Sequence, residues 1–119
     1  MMIQFEYFVR VICLALHLDL DEQAAILGVP RVALLSVRDG ALTEALLYAA
    51  ELIDAMVAIY AALGSIYSND TEAECWLRRP NTAPPFGGLA PLDVILRQGP
   101  AAASRVAQYL ESAASADFS

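Results

Sequence analysis

Residues 74–96 read ECWLRRPNTAPPFGGLAPLDVIL, and their punctuation decides how the chain folds. Ala73, Trp76 and Leu77 recur at three and four residues, the helical period. Arg78 and Arg79 follow, and cations suit a last turn whose carbonyls lack partners. Pro80 cannot continue a helix and biases Arg79 away from helical angles. Asn81 has the side chain for an Asx-turn. Pro84 and Pro85 stiffen the connection, and Gly87 and Gly88 permit a sharp bend or a close backbone approach. Pro91 fits a first helical position, with Asp93 in the first turn. On local physics alone this is a well-made loop between two core helices.

Outward from this stretch, the pattern is helical throughout. Gln4 to Leu16 is amphipathic, with Phe5, Phe8, Val9, Ile12 and Leu16 on one face and Glu6 to Arg10 as an i, i+4 pair. His17 lies at its end with no identifiable acid–base partner. Asp19-Leu20-Asp21-Glu22 has the form of a capping box for a helix from Leu20 to Leu27, stopped at Gly28. Val29 and Pro30 turn the chain into a second short helix, Arg31 to Arg38, closed by Asp39-Gly40. Two short helices across a tight Gly-containing turn form a helix-turn-helix pattern.

Thr43 to Tyr67 is the long element. Its acids, Glu44, Glu51 and Asp54, make a narrow stripe, and nearly all its other positions are apolar. Such a helix needs cover on most sides. A chain this short has little with which to surround it, so a homodimer is expected, with a second copy meeting part of this surface about a two-fold axis; the alternative is that the flanking helices alone cover it. Ser68-Asn69-Asp70 breaks this helix and caps the next, from Thr71 to Leu77 or Arg78. After the Pro/Gly turn, Pro91 to Gln98 buries Leu92, Ile95 and Leu96. Ala90 offers no side-chain cap, which leaves capping to Asp93. Gly99-Pro100 opens the last helix. Its inner face is Ala102, Ala103, Val106, Leu110 and Ala113. Its outer face is Ser104, Arg105, Gln108, Glu111 and Ser112, with Tyr109 at the border. Ala114 to Ser119 forms a small, polar tail ending in Phe118.

The 119 residues suffice for one domain or two small lobes sharing a core. The expected architecture is all-α. Residues 1–67 hold the helix-turn-helix lobe and long central helix, and residues 68–119 a smaller helical lobe. There are no lysines, and seven arginines stand against fourteen acids for a net charge of −7. That balance disfavours nucleic acid, whose affinity leans on cationic contacts. Cys13 and Cys75 sit in apolar helical contexts and suggest reduced thiols. No stretch has the form of a signal peptide or a membrane span. A cytoplasmic protein with no membrane association is expected. A Gly-rich phosphate loop, His–Glu zinc spacing and a nucleophile–base pair are all lacking. No catalytic residue, metal ligand or cofactor is therefore assigned.

Taken together, Trp76-Leu77, Pro80-Asn81, Gly87-Gly88 and Pro91-Leu92-Asp93 resemble the toxin-binding domain of Xre/MbcA/ParS-type antitoxins. The family order is Trp-Leu, Pro-Asn, Gly-Gly, Pro-Leu-Asp. The Thr82 to Phe86 segment is longer and richer in Pro than that pattern, and Ala90 stands where the family has Ser or Thr. Upstream, DEQAAILGVPRVALLSVRDG resembles an Xre-type helix-turn-helix at Ala24, Leu27, Gly28, Val29, Leu34 and Gly40. Its second helix offers a DNA reader only Arg31, Ser36 and Arg38. A degenerate helix-turn-helix kept as a scaffold fits these residues at least as well.

The resemblance implies a type II antitoxin whose partner is a RES-domain toxin that consumes NAD or transfers ADP-ribose. It implies inhibition by the C-terminal helix and tail, laid over the toxin's active site. The residues placed there by this resemblance are Arg105, Gln108, Tyr109, Glu111, Ser112, Phe118 and Ser119. Such antitoxins often repress their own promoter, so a DNA-binding regulator is the alternative, and a helical adaptor for another protein a further one. The Ala- and Ser-rich tail departs from the family habit of a Gly after the last helix.

Overall fold

A computed structural model describes residues 7–27, 43–83 and 86–117, with side chains described for all of these except 9, 10, 43–49 and 115–117. Six α-helices and one π-helical turn occur among the described residues, with no strand. The all-α expectation holds. The helices are α1 (Cys13–Ala15), α2 (Leu20–Leu27), α3 (Thr43–Ile66), α4 (Asp70–Arg78), α5 (Pro91–Gln98) and α6 (Pro100–Asp117). One buried cluster draws on every helix, with members on both sides of residue 67.

The N-terminal helix is less regular than its sequence pattern implies. Phe8–Ile12 is a π turn that runs directly into α1, with the Cys13 N–H donating to Phe8 O. The wider turn keeps residues four and five apart on one side. Phe8, Ile12, Cys13 and Leu16 all point inward, while Tyr7, Val11 and Leu14 stay exposed. The helix then ends in a Schellman arrangement. Leu18 N–H reaches back to Cys13 O (2.9 Å), and His17 takes a left-handed φ of 53°. Asp19 and Glu22 form both halves of the capping box, at 2.8 and 2.9 Å, and start α2. The second helix of the helix-turn-helix pattern, Arg31 to Arg38, lies outside the described residues.

Helix α3 is the axis of the fold. It packs most extensively on α6, and also on the π turn, α2 and α4. Met56, Ile59 and Leu63 have no exposed surface, and Leu52, Ile53, Ala55 and Ala62 are buried. Each fully buried Leu or Ile contributes roughly 1.5–3 kcal/mol by leaving water. From residue 50 to 66, the exposed positions are Glu51, Asp54, Ala61, Gly64 and Ser65. Flanking helices therefore cover the apolar face over this span. The chain then bends by 118° into α4. Asn69 caps α4 by accepting from Glu72 N–H at 2.9 Å, and Tyr60 Oη donates to Asp70 Oδ1 at 3.0 Å across the corner. No single helix among the described residues is long and apolar enough to cross a membrane.

The C-terminal helix is longer than its composition implies. Helix α6 continues to Asp117, so most of the Ala- and Ser-rich tail is its final turn. Ala and Ser, unlike Gly or Pro, do not interrupt a helix. A further correction concerns α5. Its N-cap, Ala90, makes no side-chain bond, and Asp93 is exposed without a hydrogen bond, so Pro91 at the first position and the Asp93 charge shape this start.

Candidate functional site

The described part of the turn between α4 and α5 is tied together by a few residues. Asn81 is the hub. Its N–H donates to Leu89 O (3.1 Å), and its carbonyl accepts from Gly88 N–H (2.8 Å). Its side chain closes an Asx-turn by accepting from Ala83 N–H at 2.9 Å. Gly87 and Gly88 take φ values of 58° and 94°, and a Cβ at either would touch nothing within 4 Å. Of the two roles open to these glycines, the structure uses the bend and not the close approach.

Phe86 is carried inward by this turn and meets two partners. Trp76 from α4 meets it edge-on with ring centroids 5.6 Å apart, and Tyr109 from α6 does so at 5.1 Å. Trp76 and Tyr109 also stack, at 6.3 Å and 21°. Such pairs add roughly 0.5–1.5 kcal/mol beyond burial. Leu77, Pro91 and Leu92 are buried beneath, while Pro80 and Asp93 face outward. The motif residues Trp76, Leu77, Pro80, Asn81, Gly87, Gly88, Pro91, Leu92 and Asp93 thus build one locked corner that supports α6.

Helix α6 divides as its pattern implies. Ala102, Ala103, Val106, Ala107 and Leu110 are buried, and Ser104, Arg105, Gln108, Glu111 and Ser112 are exposed. Arg105 is steadied by donating to Gln98 Oε1 at 3.0 Å. Tyr109 is half-buried and belongs to the aromatic trio, not to the free outer face. Beside the outer face runs an open cleft of about 370 Å³ between α3 and α6. Ala55, Ala58 and Ala107 line it, together with the carboxylates Glu51, Asp54 and Glu111. The acidic stripe of the central helix thus continues onto α6, a junction that residue spacing does not reveal. Phe118 and Ser119 lie outside the described residues, as do Arg31, Ser36 and Arg38.

A polar cluster that the sequence does not announce sits on the far side of α4. Arg78 donates from Nη1 to Glu22 Oε2 (2.8 Å), from Nη2 to Glu22 Oε1 (3.0 Å) and from Nε to Glu74 Oε2 (3.1 Å). Its Nη2 also donates to His17 O at 2.8 Å. The other Glu74 oxygen lies 2.7 Å from His17 Nδ1. Hydrogen bonding to Glu22 is the main cause that holds the Arg78 guanidinium above its ordinary value. His17 therefore has an acid partner, contrary to expectation, because it comes from 57 residues along the chain. The helical spacing of Glu74 and Arg78 was the one legible hint.

No curated protein and no solved structure matches the chain. Residues 62–115 match the family described as the antitoxin Xre/MbcA/ParS C-terminal toxin-binding domain. That span runs from the end of α3, through the locked corner, along most of α6. Over these residues the chain is similar to the toxin-binding domain of the Xre/MbcA/ParS antitoxins.

Proposed function

We propose that the chain is the antitoxin of a type II system and neutralises a RES-domain toxin that degrades NAD or transfers ADP-ribose. Helix α6 and the residues after it cover the toxin's active site, with Arg105, Gln108, Tyr109, Glu111, Ser112, Phe118 and Ser119 in contact. The observation that carries this reading is the build of α6. Its inner face is anchored in the core and on the Trp76–Phe86–Tyr109 trio, and its outer face is polar and exposed. A preorganised helix loses little freedom on binding. The net charge of −7 suits a basic cleft built for an anionic cofactor, and acts mainly on the association rate.

Removing Ala113 to Ser119 tests the mechanism in a growth-rescue assay with a RES-domain toxin that the full chain neutralises. The truncated protein is expected to fold and to lose protection. Equal protection by the truncated protein contradicts the active-site mechanism. The finer reading includes action in the cytoplasm and a homodimer through α3, for which the apolar Leu46 and Leu47, ahead of the covered span, are the remaining support. A chain mass at micromolar concentration equal to one copy counts against the dimer. DNA binding through Arg31, Ser36 and Arg38 is the second role in this reading. A titration of promoter DNA at low salt, with and without toxin, checks it, and steep salt dependence is the expected signature.

A further inference from the structure

The cleft between α3 and α6 is made of two matching stripes. On α3, Glu51, Asp54, Ala55 and Ala58 recur at i, i+3, i+4 and i+7. On α6, Ser104, Ala107, Gln108 and Glu111 recur at the same spacing. Each stripe is one helix face two turns long, about 10 Å of groove. The alanines form the floor, with Ala55 and Ala107 buried and Ala58 half-buried, and their small side chains leave the space of about 370 Å³. Glu51, Asp54, Gln108 and Glu111 stand exposed along the two edges. Elsewhere the acids find partners: Glu22 and Glu74 bind Arg78, and Asp70 accepts from Tyr60. The carboxylates of Glu51, Asp54 and Glu111 have no hydrogen bond or ion pair among the described residues, and no cation lines the cleft. Among the described residues, no group of carboxylates is placed to close on a metal ion. The charge that suits this groove is therefore one carried on a side chain.

We propose that the cleft is a second toxin contact, which takes arginine side chains from the surface of the RES-domain toxin. A guanidinium is planar, meets a carboxylate with two parallel hydrogen bonds, and is more weakly hydrated than an ammonium. Its methylene stem lies on apolar surface while the head stays with the charges, which matches an alanine floor between acidic edges. The α6 edge lies within the matched residues 62–115, and Gln108 and Glu111 join the cleft to the outer face proposed to meet the toxin. The α3 edge, Glu51 and Asp54, lies ahead of that match. The contact rests on the toxin reading and adds to it residues that the family match does not reach.

The purified full chain and a RES-domain toxin that it neutralises in cells test this by binding kinetics at fixed salt, with variants of matched melting temperature. Glu51→Gln with Asp54→Asn removes the charge of the α3 edge and keeps its shape. It is expected to weaken binding tenfold or more, chiefly through faster dissociation, as when one partner of a covered charge pair is lost. Asp21→Asn with Glu72→Gln removes the same charge from exposed positions outside the cleft, and is expected only to slow association slightly. Ala58→Leu fills the floor with every charge in place, and is expected to weaken binding as well. Unaltered affinity in the Glu51 and Asp54 variant or in Ala58→Leu, or an equal loss in the control, overturns the cleft contact and leaves the toxin reading standing. Neutralisation in cells without binding of the toxin by the unaltered chain overturns both.

Discussion

His17 occupies a left-handed backbone conformation that costs a residue with a side chain roughly 1–2 kcal/mol. Glycine avoids that cost, so the ring's contact with Glu74 is what offsets it here. His17→Ala keeps the backbone cost and loses the contact. It is expected to lower stability by about 0.5–1 kcal/mol in urea denaturation, whereas His17→Gly stays near neutral. An unchanged His17→Ala midpoint would show that the ring contributes nothing. Gly87 presents the reverse case. A Cβ there meets open space, so Gly87→Ala is expected to lose about 1 kcal/mol from conformation alone. Tyr60 gives a pH signature. Burial, followed by its bond to Asp70, raises its phenol above the ordinary value of 10.0. The folded state holds that proton longer than the unfolded one. Its stabilising effect is complete below about pH 10 and fades as pH rises through the raised value. Tyr60→Phe is expected to flatten this alkaline loss in melts taken between pH 8 and 11.

Local signals place most of the helices, because caps and breakers act within a few residues. Asp19 with Glu22, Asn69 ahead of α4, and Gly99-Pro100 ahead of α6 all do what their chemistry implies. Asn69→Ala is expected to lower stability by about 1 kcal/mol, read as a fall in melting temperature. Features made by distant contacts were not legible. The π turn serves the packing of Phe8, Ile12 and Cys13 together, and periodicity alone reads it as an ordinary helix. Tyr109 is given a toxin contact by the resemblance alone, and the trio its ring completes with Trp76 and Phe86 is a long-range contact that a helix-border position does not reveal. The outer face of α6 was legible as a polar stripe, but its union with Glu51 and Asp54 of α3 depends on how two helices pack.

At the scale of the molecule, one core serves two tasks. The same cluster that covers α3 also seats α6, so α6 is held in part by residues far outside the matched segment. The family motif is consequently architectural. It positions a surface, and the surface itself is drawn from residues the motif does not name. The acidic balance gives the association a salt signature, with the association rate expected to fall as salt rises and dissociation little affected. The most direct measurement is the affinity of the purified toxin for the full chain before and after the paired change Gln108→Arg and Glu111→Arg, at matched melting temperature. The expected result is binding weakened by tenfold or more, about 1.4 kcal/mol, with the fold intact. Unaltered affinity in that variant would show that the toxin is held by some other face.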